Sequence, residues 1–219
     1  MPITWPPDGP FDDRRPWPEH LPGRSAEGFP TAIGVAGLGH PDLMAALWCD
    51  ATLEDAQRYY QTARQCSWAN WAIERAEEWS PTEAQFARWV QAMWIAGCRL
   101  VISAHLAQQW VILADPDVPE VPGLRKARNA IEHLHEAEID DSQMIATTKV
   151  TDSGEKAWDI RKLPEGRLIF GMGKKPLETV LDAVSVNAIV EFAQAHRDRG
   201  EVELDDSFYL VRPEGQTLL

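Results

Sequence analysis

Apolar residues recur at helical spacing over most of this chain of 219 residues, and breaks in that pattern mark out its elements. From about Leu53 to Trp79 they include Leu53, Ala56, Tyr60, Ala63, Trp71 and Ala72, which predicts a first helix capped by Thr52 or Asp50. Ser80-Pro81-Thr82-Glu83 then sets a capping serine before a proline at the first helical position and a glutamate at the third, a start signal for a second helix. Phe86, Val90, Met93, Gly97, Leu100, Ala104 and Val111 form one stripe on it; Trp89, Trp94, Ile102, Leu106 and Trp110 widen that stripe around much of the circumference. Asp115-Pro116-Asp117 stops the helix near Leu113. A rod of about 45 Å, so broadly apolar, must be covered on more than one side.

After a proline-punctuated linker, residues 122–139 predict a third helix, with Pro122 in its first turn and Leu124, Ala127, Ile131 and Leu134 facing a core, ending near Asp140-Asp141-Ser142. Residues 147–151 are β-prone, and 157–163 and 167–171 read as two short strands around Pro164-Glu165-Gly166, a hairpin insert spanning about 147–173. Helical spacing returns from around Asp182 or Ser185, with Val186, Ile189, Val190 and Ala193 inward, and closes on His196-Arg197-Asp198-Arg199-Gly200. The expected fold is mainly α: an antiparallel four-helix bundle over residues 42–199 with a small β-hairpin insertion.

Composition adds an arm. Residues 1–41 carry nine of the sixteen prolines and six of the fourteen glycines, which excludes a regular helix or central strand. Trp5, Phe11, Trp17 and Phe29 suit an extended arm pinned by aromatic anchors, to its own bundle or to a second copy; a disordered tail has the same composition. Residues 200–219 form a tail with one apolar run, Phe208-Tyr209-Leu210-Val211, suited to an edge strand or a docking strip. Six of ten tryptophans (Trp68, Trp71, Trp79, Trp89, Trp94, Trp110) lie in the first two helices; their helical spacing favours core or a dimer seam over a base-stacking platform. His105, on the same rod, reads as a satisfied core or boundary histidine.

The chain has 44% hydrophobic and 25% charged residues, no run of about eighteen uncharged apolar residues and no signal-peptide pattern at its start, so a soluble, cytoplasmic protein is expected. Cys49, Cys66 and Cys98 are widely spaced and predict buried free thiols. A charge of −13 and a pI near 4.8 argue against unspecific coating of nucleic acid, so any anion site must be local. Between Lys149 and Lys175 seven basic residues face four acidic ones, a balance of +3 that fits either an RNA clamp or a solvated hairpin whose lysines blunt an edge. Gly171-Met172-Gly173-Lys174-Lys175 has glycines and lysines like a phosphate loop but lacks the Walker spacing.

The third helix concentrates the candidate chemistry. Arg125, Asn129 and His133 fall four apart and share a face, and Arg128 reaches its edge: an arginine, an amide and an imidazole that suit phosphate binding and proton transfer. The alternative is a structural i,i+4 ion pair between Arg128 and Glu132, with His133 at the edge of the core. Arg128-Asn129, three residues, then His133 resembles the signature of the HEPN superfamily, an arginine, a polar residue and a histidine four to six positions after the arginine. The resemblance implies a four- or five-helix bundle, usually homodimeric. It also implies a metal-independent endoribonuclease in which two motifs meet across the dimer and a ribose 2′-hydroxyl attacks the adjacent phosphate. His133 would then act as general base or acid, Arg128 would stabilise charge on the phosphate, and Asn129 would orient the imidazole or the RNA. Arg125 and Lys126 would hold the RNA backbone; Arg161 and Lys162 are further candidate contacts by the local charge of the insert, which is not part of the family's minimum. No cofactor is implied, and Glu132, His133, His135 and Glu136 match no known ligand motif. The reading extends to a toxin or defence effector held in check by an inhibitory partner; the competing reading is a non-catalytic HEPN-like interaction or scaffold module.

Overall fold

The computed structural model describes residues 41–78, 80–134, 137–141, 144–148, 168–169 and 171–200. The proline-rich arm up to residue 40, Trp79, His135, the strand expected at 157–163, Arg161, Lys162 and the run Phe208-Tyr209-Leu210-Val211 all lie outside the described residues.

The chain is mainly α. Helix α1 runs Pro41–Glu74, α2 Glu83–Ala114, α3 Leu124–Glu132 and α4 Val186–His196, followed by a 3₁₀ turn, Arg197–Gly200. The first helix begins twelve residues before its expected start: Pro41 and Asp42 open it, and Leu43, Ala45, Ala46 and Cys49 already face the interior. Thr52 is therefore no cap. Its hydroxyl, deep in the helix, donates to the carbonyl of Trp48 at 2.7 Å.

At the next turn the capping roles also shift. The N-cap of α2 is Thr82, whose side chain accepts from the Gln85 amide while the Gln85 side chain accepts from the Thr82 amide, a reciprocal capping box. Ser80 serves the helix before it instead, donating its hydroxyl to the carbonyl of Ala72 at 2.9 Å. α2 ends as expected, with Asp115 as C-cap donating its amide to Val111.

α1 and α2 lie antiparallel. Tyr59 meets α2 at Gly97, where an added Cβ would stand 3.2 Å from Tyr59 Cε2 and 3.0 Å from Val180 Cγ2. At the far end Arg199 bonds Asp115 at 2.9 Å and reaches Asp42 at 3.8 Å, joining the end of α2 to the start of α1; Arg197 pairs with Asp50 at 3.3 Å. Burial supplies the cohesion. One core gathers Ala56, Tyr59, Ala63, Cys66, Met93, Leu100, Val101, Leu124, Ala127 and Ile189; a smaller one at the Asp115 end holds Ala45, Cys49, Leu53, Ala107, Val111 and Ala193. Of the first helix's tyrosines it is Tyr59, rather than Tyr60, that is buried, and its hydroxyl donates to the Thr179 carbonyl at 3.0 Å. Trp68 is buried, Trp89 and Trp94 pack against the larger core, Trp48 and Trp110 against the smaller, and Arg75 stacks 4.5 Å above the Trp71 ring. α2 is long and apolar enough to cross a membrane, yet 56% of that apolar window is buried inside the protein.

Two corrections concern the region after α2. The third helix stops at Glu132 instead of continuing to Asp140, and residues Ala137–Asp141 form a strand, β1. β1 pairs antiparallel with β2 (Met144–Thr148), and β2 with β3 (Leu168–Ile169), where β2 overlaps the expected β-prone run and β3 falls within the expected 167–171 strand. A separate two-stranded ribbon, β4 (Thr179–Val180) and β5 (Val184–Ser185), leads into α4. Ser185 caps that helix, accepting from the Ala188 amide at 3.2 Å, and Val186, Ile189 and Ala193 face inward as expected.

Candidate functional site on the short third helix

The entry to α3 is fixed from beneath. The side-chain carbonyl of buried Gln108 accepts from the Val121 amide at 2.7 Å, and Gly123, at φ 80°, turns the chain into the helix in a conformation that favours glycine. Leu124, Ala127 and Ala130 then bury against α2, with Ile131 and Leu134 packed at the core's edge. The polar side chains are left on the outer side.

Arg125 is exposed and lies 3.6 Å from Glu120. Arg128, half-buried, donates from Nη1 to the side-chain Oδ1 of Asn129 at 3.1 Å, and the same nitrogen stands 2.5 Å from Glu132 Oε2. His133 is the C-cap; its amide donates to the Asn129 carbonyl at 3.2 Å, and its side chain is partly exposed. Arg128, Asn129 and His133 thus occupy the last turn of α3 and its cap. The i,i+4 pair with Glu132, the structural alternative weighed from sequence, is formed, and a carboxylate at that distance competes with any phosphate for the guanidinium.

A residue outside the motif belongs to this neighbourhood. His105 of α2 is 3% exposed, and its Nδ1 has no hydrogen-bond partner among the described residues, so it is a core histidine but not a fully satisfied one. Burial lowers its pKa below the usual 6.5; the nearby charge of Arg128 pushes the same way, opposed by Glu120 and Glu132. The sequence signal was present in the apolar company of His105 on α2, but its nearness to α3 depends on packing.

Two other candidates resolve differently. The glycine loop encloses its own carboxylate: Asp182 Oδ2 accepts from the Lys174 amide at 3.0 Å, Asp182 Oδ1 accepts from the Thr179 hydroxyl at 3.3 Å, and an added Cβ on Gly173 would lie 2.1 Å from Asp182 Oδ1. An internal anion therefore takes the place a phosphate would need. Lys175 pairs with Glu178 at 3.1 Å. The cysteines are free; Cys49 and Cys66 are buried, Cys98 half-buried, and burial pushes all three thiols up to about 12, which leaves them unreactive at neutral pH. Among the described residues no three His, Cys, Asp or Glu side chains form a group that could hold a metal ion.

Beside the first half of α2 lies an open groove of about 830 Å³, lined by Phe86, Val90, Trp94, Ile95 and Met172 with Asn70, Glu83 and Gln91 as polar groups. It is separate from α3. Comparison of the chain with protein families, with curated proteins and with solved structures finds no match.

Proposed function

We propose that this chain is a HEPN-like four-helix bundle acting as a metal-independent endoribonuclease, with its site at the end of α3. The observation that carries the reading is the grouping of Arg128, Asn129 and His133 on one partly exposed turn, with Arg128 held by Asn129. A guanidinium there is suited to charge building on a phosphate, and an imidazole at the helix cap is suited to taking or giving a proton. In the proposed reaction a ribose 2′-oxygen attacks phosphorus and the bond to the 5′-oxygen breaks. One histidine takes the 2′-hydroxyl proton, and a second, from another copy across the dimer, gives a proton to the leaving oxygen. The products are a 2′,3′-cyclic phosphate and a 5′-hydroxyl. Arg125 and Lys126 flank the site as backbone contacts. A cytoplasmic toxin or defence effector restrained by an inhibitory partner is the cellular role this activity fits.

RNA cleavage in chelator by wild type beside Arg128→Ala and His133→Ala tests the reading. Cleavage by the wild type, reduced about 10²-fold or more in each variant, is expected; equal activity in all three removes the site. The second reading, a HEPN-like interaction module without catalysis, draws on the Arg128–Glu132 pair, which satisfies the guanidinium locally. Folded protein that cleaves none of a varied set of RNAs favours it.

A further inference from the structure

The outer face of α2 carries a pattern that its packing does not use. Ala92, Ile95, Arg99, Ile102, Leu106, Gln109 and Leu113 follow one another at alternating intervals of three and four, the spacing of a coiled-coil seam. Ile95, Ile102 and Leu113 are 49%, 39% and 62% exposed, three of the four exposed large hydrophobics among the described residues. The stripe is also free of negative charge: between Glu83 and Asp115 the only charged side chains on α2 are Arg88 and Arg99, in a chain of net −13. Two copies of so acidic a protein repel least where they present this face.

We propose that a second copy of this chain covers the stripe, α2 against α2 and antiparallel, with the two-fold axis passing beside Ile102. The seven positions are symmetric about Ile102 to within one residue, at three, seven and ten residues before it and four, seven and eleven after it, so reversal brings Ile102 beside itself, Arg99 beside the partner's Leu106, Ile95 beside the partner's Gln109 and Ala92 beside the partner's Leu113. Parallel pairing in register would instead bring Arg99 against Arg99 inside an apolar seam, which like charge disfavours. The stripe is about 33 Å long, and a helix-wide strip of that length removes roughly 600 Å² from each copy, about 1,200 Å² in all, the lower edge of what a stable pair buries.

The direction of pairing decides where the third helices go. Around α2, at about 100° per residue, His105 and Gln108 lie roughly 60° and 120° to one side of Ile102, where Gln108 bonds Val121 just before α3 and the charges of α3 act on His105, while Ala107 and Val111 lie on the other side and behind, toward α1. A two-fold axis perpendicular to both α2 helices keeps α3 on the same side of the dimer in each copy. His105 is three residues from the axis, so the two sites flanking it come within about 9 Å of each other measured along the helices. The seam stands on the stripe alone; its consequence, two Arg128–His133 sites opening onto one groove, rests on the ribonuclease reading.

The test is mass and cross-linking of the full chain. Sedimentation equilibrium should give twice the 24.6 kDa of one chain, falling to one for Ile102→Glu at the same concentration with the helical circular dichroism unchanged. Under mild oxidation Ile102→Cys should form a disulfide-linked dimer and Leu113→Cys should not, against a background of native thiols held unreactive by burial. Cross-linking through both Ile102→Cys and Leu113→Cys, as parallel pairing in register gives, or through Leu113→Cys alone, overturns the antiparallel register. A wild-type monomer overturns the proposal, whether residues 1–40 of the same chain or nothing shields the stripe. A linked dimer that cleaves no RNA keeps the seam and removes the ribonuclease, whereas cleavage by a monomer removes the seam and keeps the activity.

Discussion

Nη1 of Arg128 meets both the side-chain Oδ1 of Asn129 and the carboxylate of Glu132. A partly exposed i,i+4 pair of this kind stabilises the fold by only a few tenths of a kcal/mol, so its loss should scarcely affect folding. Glu132→Gln is therefore expected to leave the unfolding midpoint within measurement error while tightening RNA binding in filter-binding or anisotropy titrations, because the guanidinium no longer answers to a fixed anion. Weaker binding by that variant would show that Glu132 organises the site instead of competing for it. His105 and His196 set a second residue-scale expectation. Burial lowers both pKa values below 6.5, helped at His196 by Arg199, whose Nε donates to His196 Nδ1 at 3.2 Å. Both histidines then prefer to be neutral when folded, and the unfolded chain takes up their protons first as pH falls through about 6.5. Asp115, lowered by its bond to Arg199, resists protonation and loses its contribution only further down, through the carboxylate range. Urea midpoints should thus fall between pH 7.5 and pH 5.5, and His105→Gln should shrink that fall; a midpoint independent of pH would contradict the burial of these rings.

At the scale of elements, the helices were largely legible because their spacing and stops are local properties. Asp115-Pro116 ends α2 as the sequence indicates, and α4 starts at the later of the two expected positions, Asp182 and Ser185, with Ser185 as its cap. Local signals also explain the misreadings. Pro41-Asp42 followed by Leu43, Ala45, Ala46 and Cys49 is a helix start as good as the one expected at Leu53. In residues 122–139 the three- and four-residue apolar spacing ends at Leu134, after which Ala137 and Ile139 alternate with Glu138 and Asp140, a period of two; acidic residues there would also have faced the negative end of a helix dipole. The motif was therefore readable while its setting was not: His133 caps a nine-residue helix instead of sitting inside a long one. His105 beneath Arg128, Tyr59 on the Thr179 carbonyl and Asp182 inside the glycine loop all depend on contacts between distant segments that no local pattern encodes. The start of α2 offers a test of the local account. Ser80 and Thr82 are both good capping residues, but only Thr82 makes the reciprocal bonds with Gln85, so Thr82→Ala should cost about 1 kcal/mol in chemical unfolding. No loss would mean that the cap adds little once α2 is packed.

Across the whole molecule, acidity and a local basic helix have to coexist. With −13 overall, an RNA backbone is repelled by most of the surface, and on the proposed ribonuclease reading binding would centre on Arg125, Lys126 and Arg128. The chemistry leaves a signature that scaffolding does not. The most direct measurement is mass spectrometry of the fragments made from a mixed-sequence RNA by purified wild type in chelator, with a 2′-deoxy substitution at one cleaved position in a parallel sample. The account predicts upstream fragments ending in 2′,3′-cyclic phosphate, downstream fragments beginning with 5′-hydroxyl, and no cut at the deoxy position. Fragments ending in 3′-hydroxyl, a cut that survives the deoxy substitution, or intact RNA throughout would contradict it.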